Sequence, residues 1–117
     1  MTAEELQPVI VAALEDIKAR DIEVIDTRTL TSLFDAIILA SADSNRQTRA
    51  LARNVQEKVS EAGGEIIGVE GEDVGEWVLV DTGDIVVHIM QPAIRSHYRL
   101  EELWQHPPAR TGAQAVR

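Results

Sequence analysis

The sequence predicts a single α/β domain, and three observations carry that reading. Segments whose apolar side chains recur at a helical period alternate with short runs of branched aliphatic residues, the mark of strands. Across residues 34–69 a strand, a helix and a further apolar run follow one another. That is the order of a βαβ unit, with parallel flanking strands and a right-handed crossover. Finally, 117 residues suffice for one hydrophobic core and not for two, and 44 % apolar with 26 % charged residues is the composition of a globular chain. The domain is expected to span residues 1–105. Residues 106–117, with Pro107, Pro108 and Gly112, are expected to form a disordered tail.

Leu6, Ile10, Ala13, Leu14 and Ile17 place a first helix within residues 2–20. Thr2 and Glu5 have the spacing of a capping box, whereas Pro8 removes an interior backbone hydrogen bond, so the regular helix is expected to begin nearer Gln7. Residues 22–26 and 34–41 follow as two strands, both expected in the centre of the sheet and joined by the polar turn at 29–32. Ser44 followed by Gln47 signals a second helix, whose stripe Leu51, Ala52, Val55, Val59 and Ala62 runs to a stop at Gly63 and Gly64. A third strand is expected over 65–69. Residues 76–81 and 84–90 then form a hairpin around Thr82 and Gly83, and Pro92 opens a last helix carrying Ile94, Tyr98, Leu100 and Leu103.

The hairpin has two unlike faces. With Val80 paired to Ile85, Val78, Val80, Ile85, Val87 and Ile89 share one side, which is pure core. Trp77, Leu79, Asp81, Asp84, Val86, His88 and Met90 share the other. A tryptophan, a histidine, a methionine and two carboxylates suit a half-exposed contact patch. If a helix covers this second face, Trp77 is core; if none does, it is an anchor, and the periodicity leaves both open.

Charge narrows the partners. A net charge of −9 argues against binding to nucleic acid mainly through phosphates, and a basic protein is the more natural partner. Between Val59 and Ile94 there is no Lys or Arg, while Glu61, Glu65, Glu70, Glu72, Asp73, Glu76, Asp81 and Asp84 are all acidic. Absence of cysteine removes disulfides, thiolate metal sites and cysteine nucleophiles. No apolar stretch approaches the roughly 20 residues of a membrane span, and no leader pattern opens the chain, so a cytoplasmic location is expected.

The candidates for chemistry are thin. His97 and Glu101 stand one helical turn apart, a spacing that common surface pairs share with metal ligands, and no functional metal is expected. Ser41, Ser44, Asp35 and His88 lack any motif that would position a nucleophile. Gly68, Gly71 and Gly75 are not spaced as a phosphate loop, and their acidic neighbours would repel phosphate. They are expected to admit positive φ in a turn with Glu72 and Asp73 at its tip. Arg46, Arg49 and Arg53 form a stripe on the second helix, read as a solvated face, with contact to RNA as the lesser alternative.

From Ala13 to Trp104 the sequence resembles the ribosomal silencing factor family, also called the RsfS or Iojap family. The resemblance rests on Ala-Leu-Glu-Asp-Ile-Lys-Ala (13–19), Asp-Ile-Glu-Val-Ile-Asp (21–26), Phe-Asp-Ala-Ile-Ile-Leu-Ala-Ser (34–41) and Asn-Arg-Gln-Thr-Arg-Ala-Leu-Ala (45–52). Its most specific block runs from Gly68 to Met90 and is followed by Arg95, Tyr98 and Leu-Glu-Glu-Leu-Trp (100–104). Pro8 and the residues beyond Trp104 depart from the family pattern.

This resemblance implies a mixed five-stranded sheet with flanking helices, a fold akin to nucleotidyltransferases. The catalytic motif of those enzymes is missing: Ser41 is followed by Ala42, and no Asp-x-Asp exists to hold magnesium. It further implies a non-enzymatic protein, without cofactor, that binds large-subunit ribosomal protein fourteen and keeps the small subunit from joining. Such proteins lower translation in stationary phase or starvation and are linked to large-subunit assembly. The implied contact face is Trp77, Leu79, Asp81, Val86, His88 and Met90, with Arg95 and Tyr98 at its edges. A minor contact to ribosomal RNA or a neighbouring ribosomal protein, and a homodimer off the ribosome, are secondary expectations. The rival reading is a degenerate metal-dependent nucleotidyltransferase-like enzyme using Asp35, Glu70 and Glu72.

Overall fold

The structure, a computed structural model, describes residues 1–105; the tail expected over 106–117 lies outside the described residues. Helix α1 (Ala3–Asp16) leads into strands β1 (Arg20–Asp26) and β2 (Ala36–Ser41), then helix α2 (Asn45–Glu61). Strands β3 (Gly68–Glu70), β4 (Trp77–Asp81) and β5 (Ile85–Met90) follow, and helices α3 (Pro92–Tyr98) and α4 (Leu100–Gln105) close the described chain. The five strands form one mixed sheet in the order β1-β2-β5-β4-β3, in which only β2 and β5 pair in parallel.

The capping box decides where α1 starts. Thr2 Oγ1 accepts from the Glu5 N–H and Glu5 Oε1 accepts from the Thr2 N–H, so the helix begins at Ala3 and carries Pro8 inside it. The expectation of a start near Gln7 is therefore corrected: two satisfied end groups and the buried stripe Leu6, Ile10, Ala13 and Leu14 outweigh the one lost bond. Helix α2 follows the sequence closely. Ser44 caps it through the Gln47 N–H, Thr48, Leu51, Ala52, Val55 and Val59 are buried, and Gly63 turns the chain away at φ +93°.

Both helices lie on one face of the sheet, where Ala36, Ile38, Ala40, Val78, Val80, Ile85, Val87 and Ile89 meet the apolar stripes of α1 and α2. Each fully buried Leu, Ile or Val contributes roughly 1.5–3 kcal/mol, and this face holds most of them. The hairpin register differs from the expected one by two residues: Val80 faces Val87 and Asp81 faces Val86, because Thr82 and Ile85 close a tight turn through three hydrogen bonds. A shift of two keeps every side chain on its expected face.

Three expectations are corrected here. Strand β1 is an edge strand, not a central one, and its alternate exposure, with Arg20, Asp21 and Asp26 in solvent, suits an edge. Strand β3 has only three residues, since 65–67 carry the chain from α2 to the far edge of the sheet. It runs the same way as β2, as expected, but β5 and β4 lie between them. The last helix is two helices, broken where Arg99 adopts a left-handed φ of +51°.

Gly71 is the residue this sheet edge can least spare. At φ +91° it turns the chain out of β3, and a Cβ there would stand 2.0 Å from the Trp77 carbonyl oxygen. Gly68 has ordinary φ and open space around it. Gly71→Ala is expected to lose at least about 2 kcal/mol in urea unfolding while Gly68→Ala stays within about 0.5 kcal/mol of the wild-type chain. Equal stability of the two variants would contradict the close approach at Gly71.

Candidate docking face

Cross-strand pairing sets the composition of the sheet face opposite α1 and α2. One row reads Glu70, Leu79, His88, Leu39 and Glu23; its neighbours are Asp81, Val86, Ile37 and Ile25 on one side and Trp77, Met90 and Ser41 on the other. Over β1 and β2 this face is closed: Ile25, Ile37, Leu39 and Met90 are buried in a second apolar cluster that Phe34, Trp77, Ile94 and Leu100 complete. Over β4 and β3 it is open, with Leu79 and Asp81 half-buried and Glu70 exposed. The face thus divides into an apolar half under short helices and an acidic half in solvent.

Trp77 stands on the border, which resolves the alternative that periodicity left open: it is neither wholly core nor free. Its indole N–H donates to His88 Nδ1 at 3.0 Å, and its ring lies 4.9 Å from that of Tyr98. Tyr98 in turn meets the edge of His97 at 4.8 Å and is 53 % exposed. These tilted aromatic contacts orient each ring. Because Nδ1 of His88 accepts, the neutral imidazole carries its proton on Nε2. Burial pushes the His88 pKa down to about 4, since charging the ring would desolvate a cation and break the bond from Trp77.

Two of the expected contact residues are placed elsewhere by packing. Met90 is fully buried among Ile37, Leu39 and Ile25, so it supports the face from beneath and offers nothing to a partner. Arg95 has only 11 % of its side chain exposed and spends its donors internally. It donates to Glu101 Oε2 at 3.0 Å, the Asp21 carbonyl at 2.6 Å, Ser41 Oγ at 3.0 Å and Glu23 Oε1 at 3.4 Å, tying α3 to α4, β1 and β2. A third, Val86, is buried at 9 % exposure, whereas Trp77, Leu79, Asp81, His88 and Tyr98 remain at or near the surface.

The sequence did not disclose how the loop 71–75 is held. Arg49, expected on a solvated face, donates to the carbonyls of Glu72, Asp73 and Val74, while Asn45 and Gln91 bind Val74 and Gly75. Gly71 and Gly75 have positive φ as expected; Gly68 does not, and Glu72 is half-buried beside Gln56. Only an acceptor-rich turn predicted to touch α2 could have revealed that role for Arg49. Leu33, 79 % exposed, and Leu30, 42 % exposed, have no sequence signature, because isolated leucines in a turn carry no periodic signal.

The carboxylates of the rival enzymatic reading do not converge. Asp35 precedes β2, whereas Glu70 ends β3, three strand spacings or ~14 Å away and at the opposite end of strands that run in the same direction. His97 and Glu101 lie on different helices, and Glu101 is occupied by Arg95. Among the described residues no group of three or more His, Asp or Glu is placed to hold a metal ion, and no helix is long and apolar enough to cross a membrane.

Two measurements check this geometry. The folded pKa of His88 lies below its unfolded value of ~6.5, so the unfolded chain binds the extra proton, and stability falls as pH drops from ~6.5 to about 4. The loss amounts to about 3 kcal/mol and is expected to vanish in His88→Gln; an identical pH dependence in both chains would contradict it. Arg95→Ala removes the guanidinium that binds Glu101, Glu23, Ser41 and the Asp21 carbonyl. The part exposure of Glu23 and Glu101 moderates the cost to about 2 kcal/mol, with faster hydrogen exchange in α3 and α4 before any other element.

Comparison with known proteins agrees along the whole chain. A family model described as "Ribosomal silencing factor during starvation" matches residues 1–116. The ribosomal silencing factor RsfS of Chromobacterium violaceum is 53 % identical over 115 residues, covering 97 % of this chain and 94 % of the relative. A crystal structure of a protein from that organism, 50 % identical, superposes with a TM-score of 0.88 and covers 100 % of this chain and 98 % of that one. The mouse protein named "Mitochondrial assembly of ribosomal large subunit protein 1" is 31 % identical over 98 residues, 81 % of this chain and 43 % of that protein. With its sheet order, its helices and nearly its whole length accounted for in this way, the chain belongs to the ribosomal silencing factor (RsfS) family.

Proposed function

We propose that this protein represses translation in the cytoplasm by docking on the large ribosomal subunit, through ribosomal protein fourteen, and sterically excluding the small subunit. The observation that carries the reading is the open half of the sheet. There Leu79 and Trp77 offer apolar anchors, Tyr98 projects beside them, and Glu70 and Asp81 give the surface a negative field with no cation in the strands that form it. Carboxylates of this kind steer a basic partner and raise its association rate, whereas the half-buried aromatic and aliphatic groups supply affinity once water is excluded. No bond is made or broken; the effect is occupancy of a surface that the other subunit needs. The names of the relatives, ribosomal silencing and large-subunit assembly, support the same partner.

Sedimentation of purified subunits with and without the protein tests this directly. Co-migration with large subunits and loss of joined ribosomes are expected, weaker at moderate than at low salt because the steering charges are screened. Trp77→Ala is expected to weaken binding by about 2 kcal/mol or more, roughly thirtyfold. Since Trp77 also contributes to the fold, Leu79→Arg and Tyr98→Ala, both at exposed or half-exposed positions, are measured beside it with urea unfolding as the control. A protein that stays at the top of the gradient while ribosomes form normally would refute the proposal.

A further inference from the structure

We infer that the notch between β3 and β4 receives one basic side chain of the partner protein, an arginine or a lysine, with the Glu70 carboxylate as the acceptor of its charge. The inference rests on the docking reading above and names the chemistry that the same face uses. Glu70, Gly71, Trp77 and Leu79 line an open hollow of about 290 Å³. Its walls follow from register: Glu70 and Leu79 are direct cross-strand partners, and Trp77 lies two residues along the same face. Its floor follows from Gly71, whose backbone approaches the Trp77 carbonyl too closely for any side chain to occupy the space.

The state of Glu70 is the second observation. Several carboxylates of this chain are taken up by arginines, Asp26 by Arg28, which holds its pKa down to about 2, Asp43 by Arg20, and Glu23 and Glu101 by Arg95, and Asp81 on the same face accepts from the Gly83 N–H. Glu70 is exposed and its side chain has no hydrogen bond or ion pair among the described residues. A free carboxylate beside Leu79, at the mouth of a hollow with an apolar wall, matches the make-up of a long basic side chain, whose methylene stem packs on carbon while its cationic head needs acceptors. Phosphate and carboxylate ligands are repelled there, and a neutral apolar side chain would leave Glu70 facing it unpaired.

Binding to purified large subunits is measured by sedimentation for the wild-type chain, Glu70→Gln, Glu70→Lys and Asp73→Asn, each first checked for unchanged urea unfolding. Asp73 is an exposed carboxylate on the neighbouring loop and lies outside the hollow. Glu70→Gln is expected to bind about tenfold more weakly and Glu70→Lys about a hundredfold, with Asp73→Asn within about twofold of wild type. Equal losses for Glu70→Gln and Asp73→Asn would show a diffuse field and overturn the inference. Unchanged binding by Glu70→Gln would leave the docking face standing and the hollow empty. A wild-type chain that fails to bind would remove both readings together.

Discussion

Helical coverage is the constraint on which the rest of this structure depends. Five strands span ~19 Å between the outer axes, and a helix with its side chains covers a width of ~10 Å. On one face α1 and α2, with 14 and 17 residues, bury the central strands β2, β5 and β4. On the other face the described residues supply α3 and α4, with seven and six residues, and these reach across β1 and β2. The acidic half over β4 and β3 is what the helices of the described residues leave uncovered. Its charge makes that exposure tolerable in water.

Arg95 converts this partial coverage into a defined border. Helices of six or seven residues have little stability of their own, so α3 and α4 hold their place through tertiary bonds. One buried guanidinium reaches a carbonyl of β1, a hydroxyl of β2 and a carboxylate of α4, and it fixes the position from which Tyr98 meets Trp77. One oxygen of Glu101, buried without a partner, shows that this network favours a particular arrangement over the greatest number of bonds. The Trp77, His88 and Tyr98 cluster is therefore positioned from two sides, by the sheet register beneath and by the Arg95 bonds beside it.

Local signals explain what was legible in the sequence. The Thr2–Glu5 and Ser44–Gln47 caps, the stripe on α2 and the two-faced hairpin all depend on residues within a few positions of one another, and each is found in the structure. The hairpin faces survived an error of register because side-chain direction depends only on its parity. What failed depended on long-range placement. The edge position of β1 follows from β5 pairing with β2, 49 residues away in the chain. The break at Arg99 has no glycine or proline to announce it, and Arg49 reads as a solvent-facing helical residue until the loop at 71–75 is folded against it. Trp77 was undecidable for the same reason, since whether it is covered depends on the length of helices that follow it.

An open face with exposed apolar groups is a hazard as well as an opportunity, and the charge distribution addresses both. A flat apolar patch on a sheet invites a second copy to pack against it, but this face carries Glu70 and Asp81 and no cation in β3 or β4 to pair with them. A basic partner supplies the cations that a second copy of these strands lacks. Selectivity of this kind comes from what the surface rejects as much as from what it accepts: phosphate is rejected by charge, and a neutral partner by the cost of desolvating free carboxylates. Only a partner carrying both apolar area and cations offsets each term. The same sequence segment that supplies Leu79 and the core residues Val78 and Val80 thus also sets the chemistry of what can cover it, because alternation along a single strand writes core and surface together.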